Sequence, residues 1–139
     1  MVAPAQPSHR SSRPLRVLLV DDNHDFTDSM AELLVLSGCE VQCCNTAWAV
    51  HPRVQQFNPD VCIINVQMHV LNLWNIAPSL WALAGNRLLL LIAIIGCDGL
   101  KAEEKPMYVR FDHHILKPDH AEQLYKEFLK FIIEWSQFC

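Results

Sequence analysis

Several common sequence features are missing from this chain, and each absence excludes a class of protein. The longest apolar run, residues 88–95, has eight residues, far short of the roughly 20 that a membrane-spanning helix needs. The first thirteen residues contain no apolar segment, so no secretory signal peptide is predicted. The six cysteines lack CxxC spacing, which favours buried, reduced thiols over a metal or disulfide framework.

A basic segment is also missing. The formal net charge is −4, which argues against nucleic-acid binding. Charged residues make up 19% of the chain and apolar residues 51%, as is typical of a folded globular domain. We therefore predict a cytoplasmic protein with no membrane contact. A disordered tail over residues 1–13, rich in Pro, Ser and Arg, would precede one domain over residues 14–137.

Along that domain, short runs of apolar residues alternate with segments whose apolar residues recur at the spacing of an α-helix. The runs predict five strands, over residues 15–20, 40–44, 61–65, 88–94 and 113–116. The segments with helical spacing predict five helices, over residues 26–36, 47–57, 72–84, 99–109 and 118–137. Asn23 is suited to cap the first helix and Gly38 to end it, whereas Pro52, Pro78 and Pro106 are expected to break or weaken later helices. The alternation predicts an α/β fold, a doubly wound parallel sheet with helices on both faces.

Polar side chains lie where three of the predicted strands end. Asp21 and Asp22 follow strand one, Asn65 ends strand three, and Lys117 follows strand five. The carboxyl ends of parallel strands meet at one edge of the sheet, where open α/β folds carry their sites. Two carboxylates beside a lysine could hold a hard cation and an anionic group.

Three short segments carry these side chains: VLLVDDN, PDVCIINVQM and FDHHILKP. At their separations in this chain they resemble the receiver domain of response regulators, the CheY-like module of two-component signalling. The resemblance extends from Leu15 to Phe131. It implies a CheY-like, flavodoxin-like sheet of five strands in the order 2-1-3-4-5, with five helices.

The resemblance also implies roles for individual residues. In the receiver family, an acidic pair, a strand-three aspartate and a backbone carbonyl hold Mg²⁺, and the aspartate accepts a phosphoryl group from a histidine kinase. Asp21 and Asp22 match the acidic pair, and Gln67 matches the carbonyl position. Lys117 matches the lysine that contacts the phosphate, and the Lys117–Pro118 bond matches one that is usually cis.

Several positions depart from the family pattern. The phosphoacceptor position is Asn65, and an amide is not a phosphoryl nucleophile in this setting. The position of the phosphate-contacting hydroxyl is Ile95, which cannot hydrogen-bond a phosphoryl oxygen. The switch-aromatic position is His114, and His69 replaces a usual proline. We therefore expect a pseudo-receiver, which keeps the fold without the phosphorylation chemistry.

The loss of one carboxylate also changes the expected affinity for metal. Two carboxylates about 4 Å apart repel each other by roughly 4 kcal/mol at an effective dielectric constant near 20, and a third would add to that repulsion. Asn65 removes one negative charge, so Mg²⁺ is expected to bind weakly or not at all to Asp21, Asp22 and Gln67. The acidic pair is then a structural feature, held by Lys117 and the first-helix amides.

The expected function is that of a stand-alone module of two-component or phosphorelay signalling, acting by protein–protein interaction and not as an enzyme. Its partner would be a histidine kinase or a downstream effector, with a homodimer through the face formed by helix four, strand five and helix five as a further form. One alternative is an active receiver with residual Mg²⁺ binding, phosphorylated at Asp21, Asp22 or Asp60. Another is a phosphatase that uses the acidic pair, although the chain lacks a suitably placed nucleophile.

Some histidines, cysteines and aromatic residues carry secondary expectations. Of His113 and His114, one is expected to fill part of the switch-aromatic space and the other to face solvent. Cys43 and Cys44 should point to opposite faces of strand two. A second group of side chains could belong to a surface that binds a partner: Trp74, Trp81, Trp135 and Phe138.

Overall fold

Five parallel strands form the centre of the fold. The computed structural model describes residues 13–68, 76–95, 111–116 and 121–136. In chain order its elements are β1 (Arg16–Val20), α1 (His24–Leu36), β2 (Glu40–Cys44), a 3₁₀ turn (Ala47–Ala49), α2 (Val50–Phe57), β3 (Val61–Asn65), α3 (Ala77–Ala84), β4 (Leu90–Ile95), β5 (His113–Leu116) and α4 (Ala121–Ser136). The strands pair in the order β2-β1-β3-β4-β5, which confirms the predicted order.

The central strands are buried on both faces. All six residues of β4 are buried, as are the first four of β3, which explains why neither strand shows polar alternation. Side chains from one face of the sheet pack against α2 and α3, and those from the other face pack against α1 and α4. Cys44 joins the first cluster and Cys43 borders the second, which confirms that they point to opposite faces.

Two prolines lie in the first turns of helices that the structure describes. Pro52 is the third residue of α2, and Pro78 is the second residue of α3. Backbone N–H groups in the first turn have no partner within the helix, so proline loses no hydrogen bond there. The helix predicted over residues 47–57 is shortened to α2, as expected, with a 3₁₀ turn before it, and α3 begins at Ala77, later than predicted. Pro106 lies outside the described residues.

The described parts of the chain contain four α-helices, not the five that were predicted. The predicted helix over residues 99–109 lies outside them, as do Trp74, Phe138 and the first twelve residues of the tail predicted over residues 1–13. The predicted last helix is α4, and its Trp135 side chain is likewise not described. None of the helices that the structure describes is long and apolar enough to cross a membrane.

Candidate functional site

Asp21 is the first residue after β1, at the carboxyl edge of the sheet. Its backbone N–H donates to the Cys44 carbonyl at 3.1 Å, and its side chain is buried, with 1% of its surface exposed. One carboxylate oxygen, Oδ1, accepts the Asn23 backbone N–H at 3.0 Å. Asn23 in turn caps α1, since its side-chain oxygen accepts the Phe26 N–H at 3.1 Å, and this confirms the predicted cap. Asp22 is half-buried beside this turn.

Asn65 ends β3 and faces the same carboxylate. Its Nδ2 donates to Asp21 Oδ1 at 3.3 Å, and its Oδ1 accepts the Gln67 backbone N–H at 2.9 Å. These two bonds fix the orientation of the amide. The reverse orientation would place its NH₂ group against the Gln67 N–H and its oxygen against the Asp21 carboxylate. The predicted neighbours at the ends of β1 and β3 are thus in direct contact.

Asn45 extends this network to the end of β2. Its Nδ2 donates to the Asp21 backbone carbonyl at 2.7 Å and lies 3.1 Å from Thr27 Oγ1. Thr27 is fully buried in α1, and its hydroxyl donates to the His24 carbonyl at 3.1 Å. Sequence reasoning missed both residues. Asn45 directly follows β2, so the strand-end rule that selected Asp21 could also have found it.

Ile95 is the last residue of β4 and lies at the same edge. Its side chain is 1% exposed and belongs to the apolar cluster against α2 and α3. The preceding residue, Ile94, pairs with Asn65 in the sheet, and its carbonyl accepts the Val66 N–H at 3.2 Å. Ile95, which the resemblance places at the position of the family hydroxyl, is therefore a buried hydrocarbon one residue beyond the sheet partner of Asn65.

The two histidines of β5 differ in their surroundings. His113 stacks on Phe131 of α4, with ring centroids 3.9 Å apart and planes at 9°. His114, which the resemblance places at the switch-aromatic position, is exposed, as one of the pair was expected to be. Lys117, the cis assignment of the Lys117–Pro118 bond, and His69 lie outside the described residues.

The cysteines of the described segments are all free thiols. Burial raises the pKa of the Cys62 thiol, and burial is also the main cause that raises the pKa values of Cys39, Cys43 and Cys44. These thiols therefore stay protonated near neutral pH, which excludes them as thiolate nucleophiles. This supports the predicted structural role for these four. The remaining two cysteines lie outside the described segments.

The donor set around Asn65 does not fit the Mg²⁺ site that the receiver resemblance implies. The strand-three ligand would be a carboxylate oxygen, but here an NH₂ group faces Asp21, and an N–H donor cannot coordinate a cation. The amide oxygen of Asn65 accepts the Gln67 N–H. Within residues 13–68, 76–95, 111–116 and 121–136, no group of three or more His, Cys, Asp or Glu side chains could hold a metal ion.

Trp81 is the one member of the proposed aromatic surface whose side chain the structure describes. It is half-buried, packs against the α2 and α3 cluster, and donates its indole N–H to the Leu89 carbonyl at 3.3 Å. These contacts make Trp81 a border residue of the core and not a free partner surface. The other three side chains lie outside the described set.

No protein-family model matches the sequence, and no curated protein matches it. Solved structures do share the fold. A CheY-like receiver domain from Methanospirillum hungatei JF-1 has a TM-score of 0.76 at 18% identity, covering 91% of this chain and 99% of that chain. A two-component response regulator from Clostridium difficile has a TM-score of 0.71 at 12% identity, covering 86% and 96%.

A third similar structure is the beryllofluoride-activated NtrC4 receiver domain dimer, with a TM-score of 0.68 at 18% identity over 87% of this chain and 98% of that chain. The likeness spans nearly the whole of each solved domain. At these identities it establishes architecture and not chemistry. The chain has the CheY-like fold of response-regulator receiver domains.

Proposed function

We propose that this chain is a pseudo-receiver, a cytoplasmic module of two-component or phosphorelay signalling that forms no aspartyl phosphate. The observation that carries the proposal is Asn65 at the end of β3, with its amide hydrogen-bonded at both ends to Asp21 and Gln67. The nitrogen lone pair of an amide is delocalised into the carbonyl group. Neither end of this side chain therefore offers the nucleophile that a carboxylate would.

Two of the alternative carboxylates, Asp21 and Asp60, are poor substitutes for an acceptor at Asn65. Asp21 is buried, and its Oδ1 accepts hydrogen bonds from Asn23 and Asn65. Asp60 precedes β3 and so lies at the opposite edge, where both Nη atoms of Arg13 hold its carboxylate at 3.0 and 3.1 Å. An acceptor at Asp60 would be remote from the acidic pair. These contacts argue against phosphorylation at either position.

Ile95 supports the same proposal from a neighbouring strand. A phosphoryl group at this edge would meet a buried hydrocarbon where the receiver family has a hydroxyl. Burying phosphoryl oxygens against apolar carbon without a compensating donor is unfavourable. Two residues on adjacent strands therefore oppose the reaction independently.

The module would act by binding proteins and would catalyse no reaction of its own. We propose a histidine kinase or a downstream effector as its partner, with self-association through β5 and α4 as a further form. Each of these elements carries an exposed apolar side chain: Leu116 of β5 is 62% exposed and Ile133 of α4 is 55% exposed. Exposed apolar side chains of this kind suit a protein interface.

The test compares the wild-type chain with Asn65→Asp and with the double variant Asn65→Asp, Ile95→Thr. Each protein is incubated with acetyl phosphate and Mg²⁺, and its intact mass is measured. Wild type should gain no phosphoryl group, and the double variant should gain one. Two-dimensional NMR with beryllofluoride should show shifts spreading from the β3 end in the double variant only.

Asn58→Asp is the matched control for these variants. Asn58 is exposed in the turn before β3, so the substitution adds the same charge at the opposite edge of the sheet. It should remain unlabelled. An aspartyl phosphate on the wild-type chain, mapped to any carboxylate, would overturn the proposal and favour the active receiver with a different acceptor.

A further inference from the structure

We infer that the Asn65 amide permanently takes the place of the divalent cation, holding the ends of β1 and β3 together so that this edge does not respond to Mg²⁺. The inference rests on the proposed function because both start from Asn65. It concerns metal ions, however, and not phosphate. A cation at a receiver site joins carboxylates on two strands, and here a neutral N–H donor makes that connection.

The contacts at Asp21 describe how the substitution works. Asp21 Oδ1 accepts two N–H groups, from the Asn23 backbone at 3.0 Å and from Asn65 Nδ2 at 3.3 Å. Each donor places a partially positive hydrogen beside the oxygen, where a cation would otherwise lie. No ion therefore has to be recruited from solvent. The connection therefore exists at every Mg²⁺ concentration.

The same contacts oppose the entry of a cation. A Mg²⁺ ion prefers near-octahedral oxygen coordination at about 2.0–2.1 Å. Asn65 directs an N–H group towards Asp21, and its own oxygen is already held by the Gln67 N–H at 2.9 Å. To coordinate the ion, the amide would have to rotate and break both hydrogen bonds, with one negative charge fewer to attract the ion.

Asn45 acts as a positioning residue for this connection. It donates to the Asp21 backbone carbonyl at 2.7 Å and contacts the buried Thr27 hydroxyl at 3.1 Å. The network therefore crosses three neighbouring strand ends, β2, β1 and β3, and holds the backbone from which the Asp21 side chain projects. Loss of Asn45 should loosen this edge without supplying a ligand for a cation.

The test is a metal titration without any phosphate donor. Backbone amide signals of the ¹⁵N-labelled protein are followed while Mg²⁺, and in a parallel series trace Mn²⁺, is added. Wild type should show no saturable Mg²⁺ shift and no selective Mn²⁺ broadening at Asp21, Asp22 or Gln67. Asn65→Asp should gain Mg²⁺ affinity by at least about tenfold, with both effects centred on these residues.

Two controls isolate the role of the amide. Asn58→Asp adds the same charge at the far edge and should gain no Mg²⁺ affinity. Asn45→Ala should raise the hydrogen-exchange rate at the Asp21 edge, again with no gain in affinity. Should Asn65→Asp fail to fold, Asn65→Ala provides an independent measurement, because loss of the amide oxygen should speed exchange of the Gln67 N–H.

Each outcome decides for or against the inference. Saturable Mg²⁺ binding by wild type at Asp21 and Asp22 would overturn it, as would an Asn65→Asp variant that folds but gains no affinity. Unchanged Gln67 exchange in Asn65→Ala would also contradict it. Metal binding by wild type would leave the absence of an aspartyl phosphate untouched, whereas wild-type labelling by acetyl phosphate would overturn the proposed function, so the two failures are distinguishable.

Discussion

The two edges of the sheet each bury an aspartate, but they stabilise it with different chemistry. At the amino edge, Asp60 is 4% exposed and accepts both Nη atoms of Arg13, at 3.0 and 3.1 Å, together with the Arg16 backbone N–H at 2.9 Å. At the carboxyl edge, Asp21 is 1% exposed and accepts the Asn23 backbone N–H and the Asn65 amide. Among the described contacts, a charged side chain donates to Asp60, whereas the groups that donate to Asp21 are neutral.

This difference distinguishes a structural anchor at the amino edge, around Asp60, from the candidate site at the carboxyl edge, around Asp21. The Arg13–Asp60 pair joins the start of the domain to the turn before β3, and a charged, bidentate contact suits a fixed structural joint. Asn23 and Asn65 are neutral, so their two hydrogen bonds to Asp21 add no formal charge beside its carboxylate. One substitution at Asn65 can therefore change the charge of the carboxyl edge and leave the anchor unaffected.

The largest expected effect is at the anchor. Asp60→Ala removes the acceptor for the Arg16 N–H and for Arg13, and it should lower the free energy of unfolding by about 2–4 kcal/mol. The lower end of this range allows for the Arg13 side chain, which is 37% exposed and can form hydrogen bonds with water once Asp60 is removed. Urea denaturation measures the change. Asp28→Ala, at an exposed position of α1, is the control and should cost under about 0.5 kcal/mol.

Equal losses for the two variants would contradict the role of Asp60 as an anchor. A much larger loss of stability for Asp60→Ala than for Asp28→Ala would support the role of the Arg13–Asp60 pair as an anchor.

The sheet interior between the two edges should respond to alkaline pH. Burial raises the pKa of the Cys62 thiol above its ordinary value of 9.0, so the unfolded chain loses this proton at a lower pH than the folded chain does. The stabilising contribution is complete below pH 9 and is lost as pH rises above it, by up to about 1.4 kcal/mol per pH unit. Urea denaturation between pH 8 and about 10.5 measures the slope.

Cys62→Ala is the control for this dependence. The variant should start from a lower stability, because it leaves a small cavity, but its free energy of unfolding should fall less steeply above pH 9. Parallel slopes for wild type and variant would show that Cys62 does not cause the effect.

The smallest expected change in stability is at Asn45, and its salt dependence distinguishes neutral donors from the charged donor Arg13. Asn45→Ala should lower the free energy of unfolding by about 1 kcal/mol, because it removes neutral hydrogen bonds to Asp21 and Thr27. Arg13→Ala should cost a similar amount at low salt, but that cost should shrink as added salt screens the partly exposed ion pair. Urea denaturation at low and high NaCl measures both. If added NaCl reduced the stability cost of Asn45→Ala in the same proportion as that of Arg13→Ala, the result would contradict the neutral character of the Asn45 hydrogen bonds.

The fold was largely predictable because its strands are apolar runs buried on both faces. The bounds of β2 and β5 coincide with those predicted from the sequence. The predicted fourth strand began too early, at Leu88, because that leucine continues the apolar run although it is 56% exposed and precedes the paired residues. Hydrophobicity alone does not distinguish a strand from the apolar residue beside it.

The site was predictable only in part, because its contacts depend on side-chain orientation. Asp21 and Asn65 were found through their positions after β1 and β3. Asn45 and Thr27 were missed because their roles arise from contacts between separate elements, the end of β2 and the buried side of α1. The direction of the Asn65 amide depends on the Gln67 backbone, and a strand-end pattern carries no information about that orientation.

The Val66 N–H, bonded to the Ile94 carbonyl at 3.2 Å, has a consequence for the chemical ageing of the protein. Asparagine deamidates when the next backbone nitrogen attacks its side-chain carbonyl carbon, and the product mixture includes aspartate. Here that nitrogen is held by a hydrogen bond to β4, and it belongs to a β-branched residue of restricted motion. The sheet thereby slows the conversion of Asn65 into aspartate by this route.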